Sequence, residues 1–262
     1  MELELSLSEL HVRQLEMLRY IKQICEENRI TYFLDGGTLL GAVRNHDFIP
    51  WDDDADVLLW RNDYEKLILL LKKQKGRFAI MDISMPAYPL PYAKLIDRET
   101  RLTEPGNKPI EEYGLFLDIF PLDTIPDKRF SALLFVSWGL LKRKIARAAS
   151  QTYSQKSFFK QIGVNILTHF DAHPLAVKAN KFAQSFTGKS RYAVSMFGIK
   201  RPMLMKTKWF EKSETVLLAN IEFNVPKGYD KYLREMYGDY MVIPPVTKRQ
   251  SHHVQVYGRL QI

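Results

Sequence analysis

Residues 31–60, TYFLDGGTLLGAVRNHDFIPWDDDADVLLW, constrain this chain more tightly than any other stretch. Tyr32, Phe33 and Leu34 form a short apolar run closed by Gly36 and Gly37, which predicts a strand entering a tight turn. Thr38 then opens the run Leu39, Leu40, Ala42 and Val43, so a helix should begin at the turn. A strand, a glycine turn and a helix N-terminus gather bare backbone N–H groups into a seat for phosphate. Further on, Asp54-Ala55-Asp56 leads into the apolar run Val57-Leu58-Leu59-Trp60. If this segment is extended, Asp54 and Asp56 point to one face, because side chains alternate along a strand. Two carboxylates on one face suit a divalent cation.

Aspartates are common in turns, and Asp52, Asp53, Asp54 and Asp56 read equally as a solvated loop. Against that, the cluster is wedged between Phe48-Ile49-Pro50-Trp51 and a hydrophobic strand, where solvation is limited. Two carboxylates ~4 Å apart repel by roughly 4 kcal/mol at an effective dielectric of 20, and a bound Mg²⁺ or Mn²⁺ turns that repulsion into ligation. A third carboxylate, Asp118, interrupts the apolar run Gly114-Leu115-Phe116-Leu117-Asp118-Ile119-Phe120-Pro121. Buried alone in such a strand it costs several kcal/mol unless solvated, paired or metal-bound, so it is expected to face the same site. Two ions held this way stabilise the attacking and leaving oxygens of a phosphoryl transfer. Arg44, two helical turns past Gly37, lies within reach of a phosphate held there. Asp52 shares strand parity with Asp54, so which of the four aspartates ligate stays open.

The rest of the chain sets the frame. With 262 residues and 46% hydrophobic content, a globular fold with a real core is expected. The opening MELELSLSEL lacks a basic region and an apolar core, so it does not read as a signal peptide, and a single cysteine, Cys25, excludes an intrachain disulfide. A cytoplasmic location follows as the expectation. Cys25 has no basic or histidine-rich surroundings and is not a nucleophile candidate. The net charge of +8 is concentrated: residues 127–170 carry Lys128, Arg129, Lys142, Arg143, Lys144, Arg147, Lys156 and Lys160 against Asp127 alone. That segment needs an anionic partner or ample solvent.

Periodicity predicts a first helix over 6–28 with a capping box at Ser6-Leu7-Ser8-Glu9, then a helix N-capped by Asp63 and ended by Gly76. Strands are expected at 77–83 and 92–97, a loop at 98–112, and helices at 157–170 and 174–186. A strand or hairpin should occupy 215–225, with a helix at 228–237 stopped by Gly238. Residues 130–141, FSALLFVSWGLL, run directly into Lys142-Arg143-Lys144. They read as a core helix with a basic end, or as a helix lying on an anionic membrane with Trp138 at headgroup level. His252 and His253, beside Lys248 and Arg249, are candidate contacts for an anionic substrate; adjacent histidines on a strand face opposite ways, so at most one serves.

Three blocks, FLDGGTLLGAVRNHDFIPWDDDADV, EYGLFLDIFPLD and FNVPKGYDKYLREMYGDYMVIPP, together resemble the LicD family of phosphocholine transferases, a branch of the nucleotidyltransferase-fold superfamily. The resemblance implies an α/β fold of the α+β kind: a nucleotidyltransferase-like mixed sheet flanked by helices, with an additional helical subdomain. The chain then divides into a catalytic core at 1–126, a basic helical insertion at 127–208 and a C-terminal segment at 209–262 that completes the core. Gly36, Gly37 and Thr38 become the phosphate-gripping turn, with Arg44 beside it, and Asp54, Asp56 and Asp118 the catalytic metal ligands for Mg²⁺ or Mn²⁺. The implied reaction moves phosphocholine from CDP-choline to a sugar hydroxyl of a teichoic-acid or surface-polysaccharide precursor, releasing CMP. A choline head needs aromatic faces, and Trp51, Tyr88, Tyr92 and Tyr113 lie near the motifs. A lipid-linked or soluble glycan is the implied acceptor, and a lipid-linked one would place the basic segment against the inner face of the cell membrane.

Two further readings share these residues. One keeps the site but uses another CDP-alcohol, such as ribitol, glycerol or ethanolamine, or transfers the nucleotide itself. The other is a non-catalytic basic adaptor on membrane or nucleic acid, for which only the basic segment argues. Three converging carboxylates oppose a nucleic-acid surface.

Overall fold

The computed structural model describes residues 3–86, 88–103, 108, 110, 112–151, 169–249 and 255–258. In chain order the elements are β1 (Leu3–Glu4), α1 (Leu7–Glu27), β2 (Phe33–Leu34), α2 (Gly36–Asn45), β3 (Asp56–Trp60), α3 (Arg61–Leu71), β4 (Phe78–Met81), β5 (Ala93–Asp97) and β6 (Thr100–Thr103). There follow β7 (Phe116–Thr124), α4 (Arg129–Ala149), α5 (Ala172–Ala183), β8 (Tyr192–Val194), β9 (Met205–Lys206), β10 (Ser213–Leu218), β11 (Ile221–Pro226), α6 (Tyr229–Tyr237) and β12 (Gln255–Gly258).

A curled mixed sheet of seven strands forms the centre, in the order β2-β3-β7-β5-β4, with β8 joined to the far end of β7 and β9 to β8. β3 and β7 run parallel; the other pairs in this sheet are antiparallel. β7 is buried on both faces from Phe116 to Asp123, as its near-continuous apolar sequence requires of a central strand. The fold is therefore mixed α/β, as the sequence implies.

Helix α1 starts where the sequence predicts: the Ser6 N–H donates to Glu9 Oε2 at 2.7 Å and the Glu9 N–H to Ser6 Oγ at 3.4 Å. Leu10, Met17, Leu18, Ile21, Ile24 and Cys25 line its buried face. Burial pushes the Cys25 thiol up to about 12, which leaves no reactive thiolate at neutral pH. Hairpin β10–β11 closes the sheet's β2 edge, with β10 against α2 and β11 against β2. Gly238, at φ 72°, ends α6 as expected.

Several expectations are corrected. Helix α3 begins at Arg61 with Trp60 as its N-cap, so Asp63 lies inside the first turn, where its charge favours the helix dipole. The helix ends at Leu71, ahead of Gly76, whose φ of 137° serves the turn into β4. The segment 98–112 is not loop throughout: β6 occupies Thr100–Thr103 and pairs with β12 in a small sheet with β1, a long-range partnership with no local signature. Segment 127–208 holds α4 and α5 packed together, and also β8 and β9, which extend the central sheet. Residues 157–168 of the expected helix and the pair His252–His253 lie outside the described residues. No helix among the described residues is long and apolar enough to cross a membrane.

Candidate active site

The parallel pairing of β3 with β7 sets Asp56 directly beside Asp118. Partners in register share a face, and neighbouring strands are about 4.8 Å apart, so two carboxylates meet side by side. On the other side of β7, β5 places Lys94 opposite Asp118, and the Lys94 Nζ forms an ion pair with Asp118 Oδ1. Lys94 is buried, with its Nζ 3.2 Å from the centroid of the Phe116 ring. Three adjacent strands thus deliver an Asp, an Asp and a Lys to one row. Asp54 precedes β3 and lines a cavity with Asp118 and Lys94.

The acidic charges converge. Burial pushes the Asp56 carboxyl well above the usual carboxylate range, and the charges of Asp54, Asp118, Asp35 and Asp52 push it further. Asp35, the N-cap of α2, is buried and accepts a hydrogen bond from the Tyr232 hydroxyl at 2.5 Å. Burial raises the Asp35 carboxyl too, against the lowering by its bonds from Tyr232 and the Gly36 N–H.

The glycine turn meets this cluster at close range. Helix α2 opens at Gly36, earlier than the expected start at Thr38, and Gly36 has φ 52°. A Cβ on Gly36 would lie 2.5 Å from Asp56 Oδ2, and one on Gly37 2.1 Å from Asp52 Oδ2. The two glycines therefore admit carboxylates to the helix N-terminus, where the dipole favours negative charge. The Thr38 hydroxyl accepts a 2.9 Å hydrogen bond from the Asp56 N–H, while the Asp35 N–H donates to the Asp56 carbonyl. These two bonds stitch α2 to β3. Arg44 lies at the other end of α2, donating to Asn45 Oδ1 at 3.0 Å and to the Tyr240 carbonyl at 3.2 Å.

Helix α1 braces the acidic loop. His11 Nε2 hydrogen-bonds the Asp52 carbonyl and Gln14 Nε2 donates to the Asp53 carbonyl, both at 2.8 Å, and the His11 ring stacks on Phe48 at 4.7 Å.

Over the acidic floor opens a cavity of about 170 Å³. Tyr92, Tyr113, Phe116 and Phe197 give it aromatic walls, and Arg143 and Arg147 reach it from α4. Of the aromatics considered from the sequence, Tyr92 and Tyr113 line this cavity. Tyr88 is buried outside the lining, with a hydroxyl that has no hydrogen-bond partner among the described residues. Trp51 lies elsewhere, its ring 4.3 Å from the Arg249 guanidinium. The basic triplet splits: Arg143 turns to the cavity, whereas Lys142 lies over Trp138 and Phe182.

Among the described residues no three His, Cys, Asp or Glu side chains are grouped closely enough to hold an ion unaided. The donor set nevertheless suits Mg²⁺, which is held by one or two carboxylates and completed by waters and substrate phosphates. Half-buried, mutually repelling carboxylates at Asp54 and Asp56 fit that description.

Two residues of this constellation were not read from the sequence. Lys94 is a lone cation in the apolar strand Ala93-Lys94-Leu95-Ile96, the same signal that drew attention to Asp118. Asp35, directly before the double glycine, was open to the same reading.

Comparison with known proteins follows the same blocks. A family described as "LicD/FKTN/FKRP, nucleotidyltransferase domain" matches residues 29–88, which hold β2, α2, the acidic loop and β3. The chain is 27% identical to the lipopolysaccharide cholinephosphotransferase LicD of Haemophilus influenzae, over 96% of this chain and 97% of that protein. Over 48 residues, 18% of this chain and 10% of the relative, it is 44% identical to the ribitol 5-phosphate transferase FKRP of Homo sapiens and of Mus musculus. Residues 29–88 thus match the LicD-family model, and the likeness to LicD runs along nearly the whole chain.

Proposed function

We propose that this protein is a phosphotransferase that moves phosphocholine from CDP-choline to a hydroxyl of a surface-polysaccharide precursor, releasing CMP. The observation that carries the reading is the in-register pairing of Asp56 with Asp118, which together with Asp54 lines a cavity, in a chain similar end to end to a cholinephosphotransferase.

In the proposed reaction the acceptor oxygen attacks the phosphorus that bears choline. The bond from that phosphorus to the CMP phosphate oxygen breaks, CMP leaves with the electron pair, and Asp118 takes the hydroxyl proton. Lys94 fixes the Asp118 carboxylate from the neighbouring strand, so the base is positioned before substrate arrives. Gly36 and Gly37 let the acidic groups approach the N-terminus of α2, and Thr38 keeps helix and strand in register. Asp54 and Asp56, with Asp118 beside them, would hold Mg²⁺ or Mn²⁺, one ion or two, which neutralises phosphate charge when bound. Tyr92, Tyr113, Phe116 and Phe197 offer aromatic faces to a trimethylammonium head.

The outer face of α4 supports a place for this chemistry. Phe130, Leu134 and Trp138 are each more than half exposed along one stripe, with Leu141 following and Arg129, Lys142 and Lys144 nearby. An apolar stripe with a tryptophan and cations suits an anionic bilayer carrying a lipid-linked acceptor, whether for teichoic acid or another glycan.

The test is product analysis with CDP-choline labelled in its phosphocholine, Mg²⁺ and a glycan acceptor. Label on the acceptor with stoichiometric CMP is expected. Nucleotide on the acceptor would make the protein a nucleotidyltransferase, and turnover only with CDP-ribitol, CDP-glycerol or CDP-ethanolamine would replace the donor.

A further inference from the structure

Helix α4 puts two arginines on the cavity wall facing the carboxylates. Arg143 is half-buried, and its Nη1 donates to two backbone carbonyls, those of Phe197 at 2.7 Å and Ile199 at 2.6 Å. Those two bonds fix the side chain but bring no counter-charge. Among the described residues no carboxylate pairs with Arg143, and its Nε and Nη2 groups make no hydrogen bond. Arg147, one helical turn on, lines the same cavity and adds a like charge. Burial lowers the Arg143 guanidinium, with Tyr92 opposing and Arg147 lowering it further.

A guanidinium anchored through one nitrogen keeps its Nε–Nη2 edge for a planar pair of oxygens, the geometry that matches phosphate. Around the cavity, Asp54 and Asp118 lie on the sheet side and Arg143 and Arg147 on the helix side. Lys94 is paired with Asp118, so the positive charge of Arg143 and Arg147 stands apart on the α4 side. The site is thus divided, with an acidic floor where the sheet ends and a cationic wall on the helix.

We propose that Arg143 and Arg147 form the phosphate-binding subsite for the donor's pyrophosphate, with Arg143 gripping phosphate oxygens through its Nε–Nη2 edge. This assignment rests on the phosphotransferase reading for the identity of the donor, but the anion site itself does not. It gives α4 a part in the chemistry: the helix following the catalytic strand β7 supplies the charge that the glycine turn, already faced by carboxylates, does not provide.

The test is calorimetric binding of inorganic pyrophosphate and of CMP to the full chain, without divalent cations. Wild type should bind both, and Arg143→Met and Arg147→Gln should each weaken binding about 10- to 100-fold, the loss of one charged hydrogen-bonding partner. Arg143→Lys should recover part of it, and Asp56→Asn should leave it undiminished. In turnover assays the arginine variants should raise KM for the donor with little change in kcat. Undiminished pyrophosphate and CMP binding by folded Arg143→Met and Arg147→Gln proteins overturns the proposal, as does wild type that binds neither anion. Pyrophosphate binding that depends on Arg143 in a protein with no CDP-choline turnover upholds the subsite and rejects the donor.

Discussion

Replacing Asp56 by Asn separates stability from function at this site. Asp56 is half-buried beside Asp118 in strand register and feels the charges of Asp54, Asp35 and Asp52. Two unit charges ~5 Å apart repel by about 3 kcal/mol at an effective dielectric of 20, and Lys94 offsets part of the Asp118 contribution. Asparagine keeps the size, and the backbone bonds to Thr38 and Asp35 do not involve the side chain. The substitution should therefore stabilise the metal-free protein by about 1–3 kcal/mol, or roughly 3–10 °C in Tm for a chain of this size. Because the folded carboxyl is raised above its unfolded value of about 3.9, its destabilising effect grows as pH climbs from there towards the folded value. The gain in Asp56→Asn should be largest near pH 8 and shrink as the medium is acidified. Thermal unfolding in EDTA from pH 8 to pH 5 measures it, and adding Mg²⁺ should raise the Tm of wild type more than that of the variant. Phosphotransfer should meanwhile fall at least about 100-fold, the typical loss on removing a positioned charged group. A variant that melts below wild type in EDTA at pH 8, or a difference that ignores pH, would refute the reasoning.

Other perturbations follow from single contacts. Gly36→Ala combines a left-handed backbone, costing about 1–2 kcal/mol, with a Cβ 2.5 Å from Asp56 Oδ2, so activity should drop about 100-fold; Gly76→Ala, also at positive φ but with open space, should lose stability and keep kcat. Asp97 is fully buried and bound by Arg77 at 3.0 and 2.7 Å and by Arg13 at 2.8 Å; despite desolvation, these partners hold its carboxyl below the usual range. Its contribution is present above the unfolded value of about 3.9 and is lost as pH falls through the lower folded value. Arg77→Met should then cost about 2–3 kcal/mol in urea unfolding at pH 7, and the difference from wild type should narrow near pH 3. Co-sedimentation should recover the protein with anionic vesicles and not with neutral ones, with loss on Trp138→Ala or on neutralising Lys142 and Lys144; equal recovery on both lipids removes the membrane reading.

Much of this was legible in the residues because the signals were local. The capping box at Ser6 and Glu9 acts within one helical turn, and the apolar run around Asp118 fixes a buried strand through its own composition. The double glycine and the acidic run stood out because chemistry needs them and folding does not. Lys94 and Asp35 escaped notice, although a lone charge in an apolar strand and an aspartate before a glycine pair were both visible. Strand β6 escaped for a different reason: its partner β12 lies far along the chain, and pairing energy at that distance leaves no trace in a local pattern.

Sequence by itself determined that one carboxylate, Asp118, interrupts an apolar strand and that others, Asp54 and Asp56, lead into a second, since burial and periodicity are properties of a few neighbouring residues. Only the tertiary structure decided which charges meet. The parallel register of β3 on β7 sets Asp56 beside Asp118, the antiparallel register of β5 sets Lys94 on the other side, and α4 turns Arg143 inward while Lys142 stays out. Charge interactions fall off with distance in space and take no account of distance along the chain, so a site assembled from β3, β5, β7 and α4 has no sequence spacing of its own.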